Sequence, residues 1–213
     1  MIEFNSSITV RGEIPDFGDN VIKNETMFFS SGLEYAYANG GPITRSLCHA
    51  LPEDWQEDTV ILDSRVHMLM PGWWPCIPGW HLDDVPRTRA DGQPDHTDPA
   101  YEAEHLMVII GDCSRTEFAL GKIELRDPPL GEVVYGIWHP QIEQAVSSGQ
   151  LSSHFADPCK LIEFNWQTFH QGKQATHNGW RFFARLSRNT KREFKNEIRR
   201  QAQVYLEIPM EGW

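Results

Sequence analysis

His81 and Asp83 stand two residues apart in the segment Pro78-Gly79-Trp80-His81-Leu82-Asp83. In extended chain, residues i and i+2 face the same side, so an imidazole and a carboxylate enter one pocket together. Two ligands of a single metal ion need that arrangement. A His-x-Asp pair also arises by chance in surface turns, so it needs support from elsewhere in the chain. His170 closes the stretch 161–169, and along a straight strand it shares a face with Ile162, Phe164, Trp166 and Thr168. A core histidine bonded to a backbone carbonyl would satisfy that pattern equally. Further on, strand alternation over residues 181–187 places Arg181, Phe183, Arg185 and Ser187 on one face, with Phe182, Ala184 and Leu186 on the other. Two guanidiniums among phenylalanines are costly unless an anion meets them. A carboxylate is the natural partner for such a fork. An edge strand with a solvated basic face is the plainer account.

The three signals reinforce one another. Two histidines and one carboxylate with open positions form the facial triad of non-haem Fe(II) oxygenases. His81-x-Asp83, then His170, then Arg181 eleven residues later, resembles the Fe(II)/2-oxoglutarate-dependent dioxygenase superfamily. Pro78-Gly79-Trp80-His81-Leu82-Asp83 is similar to that family's proximal segment. Phe169-His170-Gln171-Gly172, followed by Asn178-Gly179-Trp180-Arg181, is similar to its closing segment. The resemblance covers roughly residues 60–190. It implies a double-stranded β-helix (jelly-roll, cupin-like) fold and Fe(II) held by His81, Asp83 and His170. It also implies 2-oxoglutarate as co-substrate, anchored by Arg181. Arg185-Leu186-Ser187 resembles the Arg-x-Ser element of some members, so Arg185 is a second anchor or a clamp for an anionic substrate. The implied reaction is hydroxylation, coupled to decarboxylation of 2-oxoglutarate to succinate and CO2.

Other residues compete for these roles. His177 sits in the polar turn 174–178 with no strand leading in, and His154 has a weaker context still. Asp84 would point away from Asp83 in extended chain. Trp73 and Trp74, with Trp80 and Trp166, either line a substrate pocket or pack the core. His67 reads as structural, and His96 and His105 as solvated. Two rival classes stand beside the oxygenase: a non-catalytic jelly-roll binding or structural protein, and a cupin-like metal enzyme of another chemistry.

The elements that must position these residues are short. Fourteen prolines and sixteen glycines break the chain into pieces that suit an all-β or β-rich domain with few helices. Strands are expected at 8–11, 21–23, 60–62, 65–70, 106–110, 117–125, 132–138, 159–166, 180–187 and 204–208. A helix opens at Pro42, another runs between Pro140 and Gly149, and Thr190 with Glu193 fits a capping box for a short third. Residues 86–103 form a long polar loop leaving directly from the His81-x-Asp83 pair, which suggests a lid. With no composition break, residues 1–213 read as a single domain.

Composition narrows the setting. A net charge of −11 argues against wrapping nucleic acid. Mean hydropathy is −0.48, and no apolar run approaches a membrane span. The N-terminal residues lack the basic and apolar regions of a secretory signal, so a cytoplasmic location with four reduced cysteines is expected. Residues 181–200 hold eight bases against two acids, either a solvated helix face or a docking face for an anionic partner. A small-molecule substrate is favoured, with a peptide or nucleotide open.

Overall fold

The computed structural model describes residues 1–56, 59–98 and 100–206. In chain order the elements are β1 (Ile2–Ser6), β2 (Ile8–Glu13), α1 (Asp19–Ile22), β3 (Met27–Phe29), β4 (Ser31–Gly32), α2 (Leu33–Asn39), α3 (Pro42–His49), β5 (Ile61–Leu69), β6 (Glu104–Ile110), β7 (Thr116–Leu125), α4 (Val134–Ser147), β8 (Ser152–Phe155), β9 (Lys160–Asn165), β10 (Phe169–Gly172), β11 (Gly179–Arg188) and β12 (Glu197–Arg199).

Two antiparallel sheets dominate. One has the order β2-β9-β6-β11-β5-β4; the other runs β1-β7-β10, with β8 also on β7. β3 and β12 form a separate ribbon. Side chains from both sheets meet in one apolar cluster: Met107 and Ile109 of β6, Ile162 and Phe164 of β9, and Phe118 of β7. The outer face of the six-stranded sheet packs Leu106, Val108, Phe182 and Leu186 against Ile22, Ala36, Ile43 and Leu47 of the N-terminal helices. The outer face of the other sheet packs Phe4, Ala119, Ile123 and Phe169 beneath α4. Covering both outer faces explains why central strands such as β6 are apolar on both sides.

The β-rich reading holds, with three local corrections. Residues 21–23 belong largely to the short helix α1. Residues 134–138 open α4 instead of forming a strand. Their β-branched and aromatic content suits a strand, yet Val134, Tyr135, Trp138, Ile142 and Ala145 also recur on one helical face, and that face meets the sheet. Pro140 lies inside this helix, and Gly149 ends it with a positive φ of 78°. In place of the expected helix after Thr190 there is irregular chain leading into β12. Of the expected last strand, Tyr205 forms a bridge with Trp74, while residues 207 and 208 lie outside the described residues.

Candidate metal centre

Trp80 and Leu82 are buried in the core beneath α4. Alternation then turns His81 and Asp83 the opposite way, between the sheets. His170 arrives by a different route from the one its sequence parity suggests. β9 stops at Asn165, whose carbonyl accepts from Thr168 N at 3.0 Å, and the chain crosses to β10 in the other sheet. There His170 and His81 exchange both backbone hydrogen bonds, at 3.0 and 3.1 Å.

The carbonyls behind the two rings fix their tautomers. His81 Nδ1–H donates to Gly79 O at 2.9 Å, and His170 Nδ1–H donates to Thr168 O at 3.0 Å. Gly79 has φ 113°, a conformation that L side chains rarely adopt, and so brings its carbonyl to the ring. Both Nε2 atoms then face Asp83: His170 Nε2 is 3.0 Å from Oδ2, and His81 Nε2 is 4.0 Å from Oδ1. Electron-pair donors gathered this closely call for a cation, either a proton or a metal ion. The three side chains place one ligand atom each within 4.8 Å of the others, the one such group among the described residues. Histidines held through Nδ1 with Nε2 presented are the arrangement that metal-binding imidazoles use. The donor set therefore fits a divalent metal. Burial, followed by the neighbouring His170, pushes the His81 pKa down to about 4. Burial raises the carboxyl pKa of Asp83, but Arg185 and the two imidazoles outweigh it and hold the group well below the usual carboxylate range.

Hydroxyl groups brace this loop from behind. Tyr101 Oη donates to Asp83 O at 2.7 Å, and Tyr135 Oη donates to Leu82 O at 3.0 Å. Asp84 does not point away as extended chain would require. Its φ is 54°, and its carboxylate meets Arg185 Nη2 at 3.0 Å.

β11 bears out its alternation. Arg181, Phe183 and Arg185 line a cavity of about 340 Å³ between the sheets, together with His81, Asp83 and His170. Phe182, Ala184 and Leu186 face the helices. The two arginines differ in their partners. Arg185 forms ion pairs with Asp83, with Asp84 at 3.0 Å and with Asp63 at 3.7 Å. Burial lowers its pKa, but the three carboxylates raise it further. Arg181 is 3 % exposed. It donates from Nε to Ser114 O at 2.9 Å and from Nη2 to Thr116 Oγ1 at 3.4 Å, and has no carboxylate partner among the described residues. Burial pushes its pKa down to about 10. Ser187, which completes the Arg-x-Ser element, is buried against His105 at 2.9 Å and is not in the cavity wall.

Other expected site residues go elsewhere. Trp73 packs beside Leu69, Cys113 and Ala175, and Trp74 bridges Tyr205; neither lines this cavity. His177 pairs with Asp112 at 3.1 Å, and His154 lies on β8. His96 and His105 are buried, not solvated. No described residue of the 86–103 segment is in the cavity wall. That segment is stapled to the turn before α4: Arg89 donates to the carbonyls of Pro128 and Pro129, and Asp91 accepts from Gly131 N at 2.8 Å. Tyr101 ties the segment to the ligand loop, and Arg87 and Pro94 line a neighbouring hollow together with His81 and Asp83.

Sequence reasoning missed Asp63, Arg65 and Thr116 in the wall, and the inward turn of Arg192 and Arg199. The polar alternation Asp63, Arg65, His67 along β5 was a readable signal for the first two. No protein-family model, curated protein or solved structure matches this chain.

Proposed function

We propose that this protein is an Fe(II)- and 2-oxoglutarate-dependent dioxygenase on a double-stranded β-helix, hydroxylating a small molecule. One observation carries the reading: a His81–Asp83–His170 cluster and a buried arginine without a carboxylate partner among the described residues share one cavity. When bound, iron and 2-oxoglutarate supply the oxidising chemistry, with 2-oxoglutarate leaving as succinate and CO2. His81, Asp83 and His170 hold the metal through two neutral imidazoles and one carboxylate. Arg181, with the Thr116 hydroxyl beside it, receives the far carboxylate of 2-oxoglutarate as a fork. Arg185 orients Asp83 and neutralises the acidic group around it. It is a positioning residue in this scheme, not a cofactor anchor. The two antiparallel sheets facing each other across the site support a jelly-roll. A volume of about 340 Å³ suits a small molecule. No helix among the described residues is long and apolar enough to cross a membrane.

A non-catalytic jelly-roll binding protein is the rival. It draws on the Arg185–Asp83 ion pair, which neutralises the ligand carboxylate without a metal. The test is succinate formation from 2-oxoglutarate with Fe(II) and oxygen, with no added substrate. The oxygenase releases succinate slowly, and His170→Ala abolishes the release. Wild-type protein that binds metal yet never forms succinate is the binding protein.

A further inference from the structure

The metal cavity carries more positive charge than the proposed chemistry uses. Its wall contains five arginines, at 65, 181, 185, 192 and 199, against three aspartates, at 63, 83 and 84. Arg185 and Arg192 are spoken for by those acids, and Arg199 Nη2 reaches Asp63 at 3.4 Å. Two guanidiniums remain in excess. Arg181 is answered by 2-oxoglutarate on the reading above. Arg65 is left over.

Arg65 has no ion pair with any described residue, yet it is only partly exposed, on the inner face of β5. Its neighbours repel it. Burial and, with it, the charge of Arg65 lower the pKa of both Arg181 and Arg199. The position is also a crossroads. Arg65 belongs to the wall of the metal cavity, to a hollow of about 360 Å³ bounded by Cys76, Ile77 and Tyr205, and to one of about 440 Å³ bounded by residues 199–205. Directly opposite it in strand register stands Phe183, an apolar surface within the same cavity.

We infer that Arg65 is the substrate anchor. It binds the carboxylate or phosphate group of a small anionic substrate whose apolar body lies along Phe183 toward the metal. This rests on the oxygenase reading for the word substrate, but the anion subsite itself stands on the unpaired cation and the shared cavity. A guanidinium can take either headgroup through paired N–H donors.

The test is calorimetric titration of inorganic phosphate and, separately, of acetate into protein saturated with Mn(II) and 2-oxoglutarate. The two arms distinguish a phosphoryl from a carboxylate preference. Wild-type protein binds at least one probe. Arg65→Gln weakens that binding by about tenfold or more, as loss of a charge-assisted fork requires, while 2-oxoglutarate affinity changes by less than about twofold. Arg65→Lys retains part of the binding, which shows that the pocket is still folded. Equal probe affinity in wild type and Arg65→Gln overturns the proposal, as does a wild type that binds neither probe. Loss of 2-oxoglutarate affinity in Arg65→Gln also overturns it, by assigning Arg65 to the cofactor. The same titrations run without Mn(II) and 2-oxoglutarate keep the two readings apart. Arg65-dependent binding in a protein that never takes up 2-oxoglutarate supports the anion subsite and removes the oxygenase.

Discussion

Arg185 and Arg181 lie on the same face of β11 with Phe183 between them, yet their surroundings are opposite. At the Arg185 end, Asp63, Asp83 and Asp84 converge on one guanidinium, and Arg192 and Arg199 complete the set. Charge there is balanced within the protein. At the Arg181 end the guanidinium meets a carbonyl and a hydroxyl, and the nearby cation is Arg65. Charge there is unbalanced, in a site that admits solutes. A buried cation without an anion is costly in the free protein. On the proposed reading, the Arg181 end beside the His81–Asp83–His170 cluster is where a ligand would bind, and the Arg185 end is scaffold that fixes the Asp83 carboxylate.

The comparison breaks most visibly in stability. Arg185→Met leaves three acids without their shared cation and is expected to cost ~3–5 kcal/mol in denaturant unfolding. Arg181→Met removes a cation that has no acid to lose, so stability should hold or rise. The contrast reverses for ligand binding. Arg181→Met should lose ~2–5 kcal/mol of 2-oxoglutarate affinity by calorimetry. Arg181→Lys, which keeps the charge and loses the fork, should fall between. If both substitutions at position 181 destabilise the fold as Arg185→Met does, the two ends are alike and the division fails.

Two smaller effects sharpen the picture away from β11. His96 is packed against Trp138 and Phe4 with neither ring nitrogen hydrogen-bonded, and burial pushes its pKa down to about 3. The unfolded chain, with histidine near 6.5, then binds more protons than the native state as pH falls below that value. Stability should decline from pH 6.5 toward 3, with buried His67, His81 and His105 contributing alongside, and His96→Phe should remove one histidine's share of that limb without changing stability near neutrality. An unchanged acid limb would place the acid sensitivity elsewhere. Tyr101→Phe removes the hydroxyl that holds the Asp83 carbonyl, an expected loss of about 1 kcal/mol in stability. Metal affinity should drop about tenfold, measured by competition with a chelator. A stability loss with metal affinity intact would make Tyr101 a structural residue only.

Much of the site was legible because strand alternation is local. The inward set Arg181, Phe183 and Arg185 follows from a period of two, and so does the opposition of His81 and Asp83 to Trp80 and Leu82. What could not be read depends on pairing across the chain or on single dihedrals. The register that sets Asp63 opposite Arg185 joins residues from distant strands, so Arg185 looked available when it is engaged. A positive φ at Asp84 reversed the side chain that extended geometry sent outward. His170 shares parity with Phe164 in sequence, but the turn at Asn165 carries it to the other sheet. The basic run 181–200 read as a solvated helix face or a docking face for an anionic partner, yet β12 pairs with β3 and Arg199 lines the cavity. The aromatic segment around Trp73 and Trp74 gave no local sign of which wall it packs against.

The central claim is that a metal at His81, Asp83 and His170 and an anion at Arg181 occupy one site. Its most direct measurement is an anaerobic titration of 2-oxoglutarate into Fe(II)-loaded protein, followed by visible absorption. The account predicts a weak charge-transfer band in wild type, its absence in His170→Ala, and its appearance only at higher 2-oxoglutarate concentration in Arg181→Lys. A band that survives in His170→Ala and vanishes in His177→Ala, or one that responds to Arg185 and is indifferent to Arg181, would contradict it.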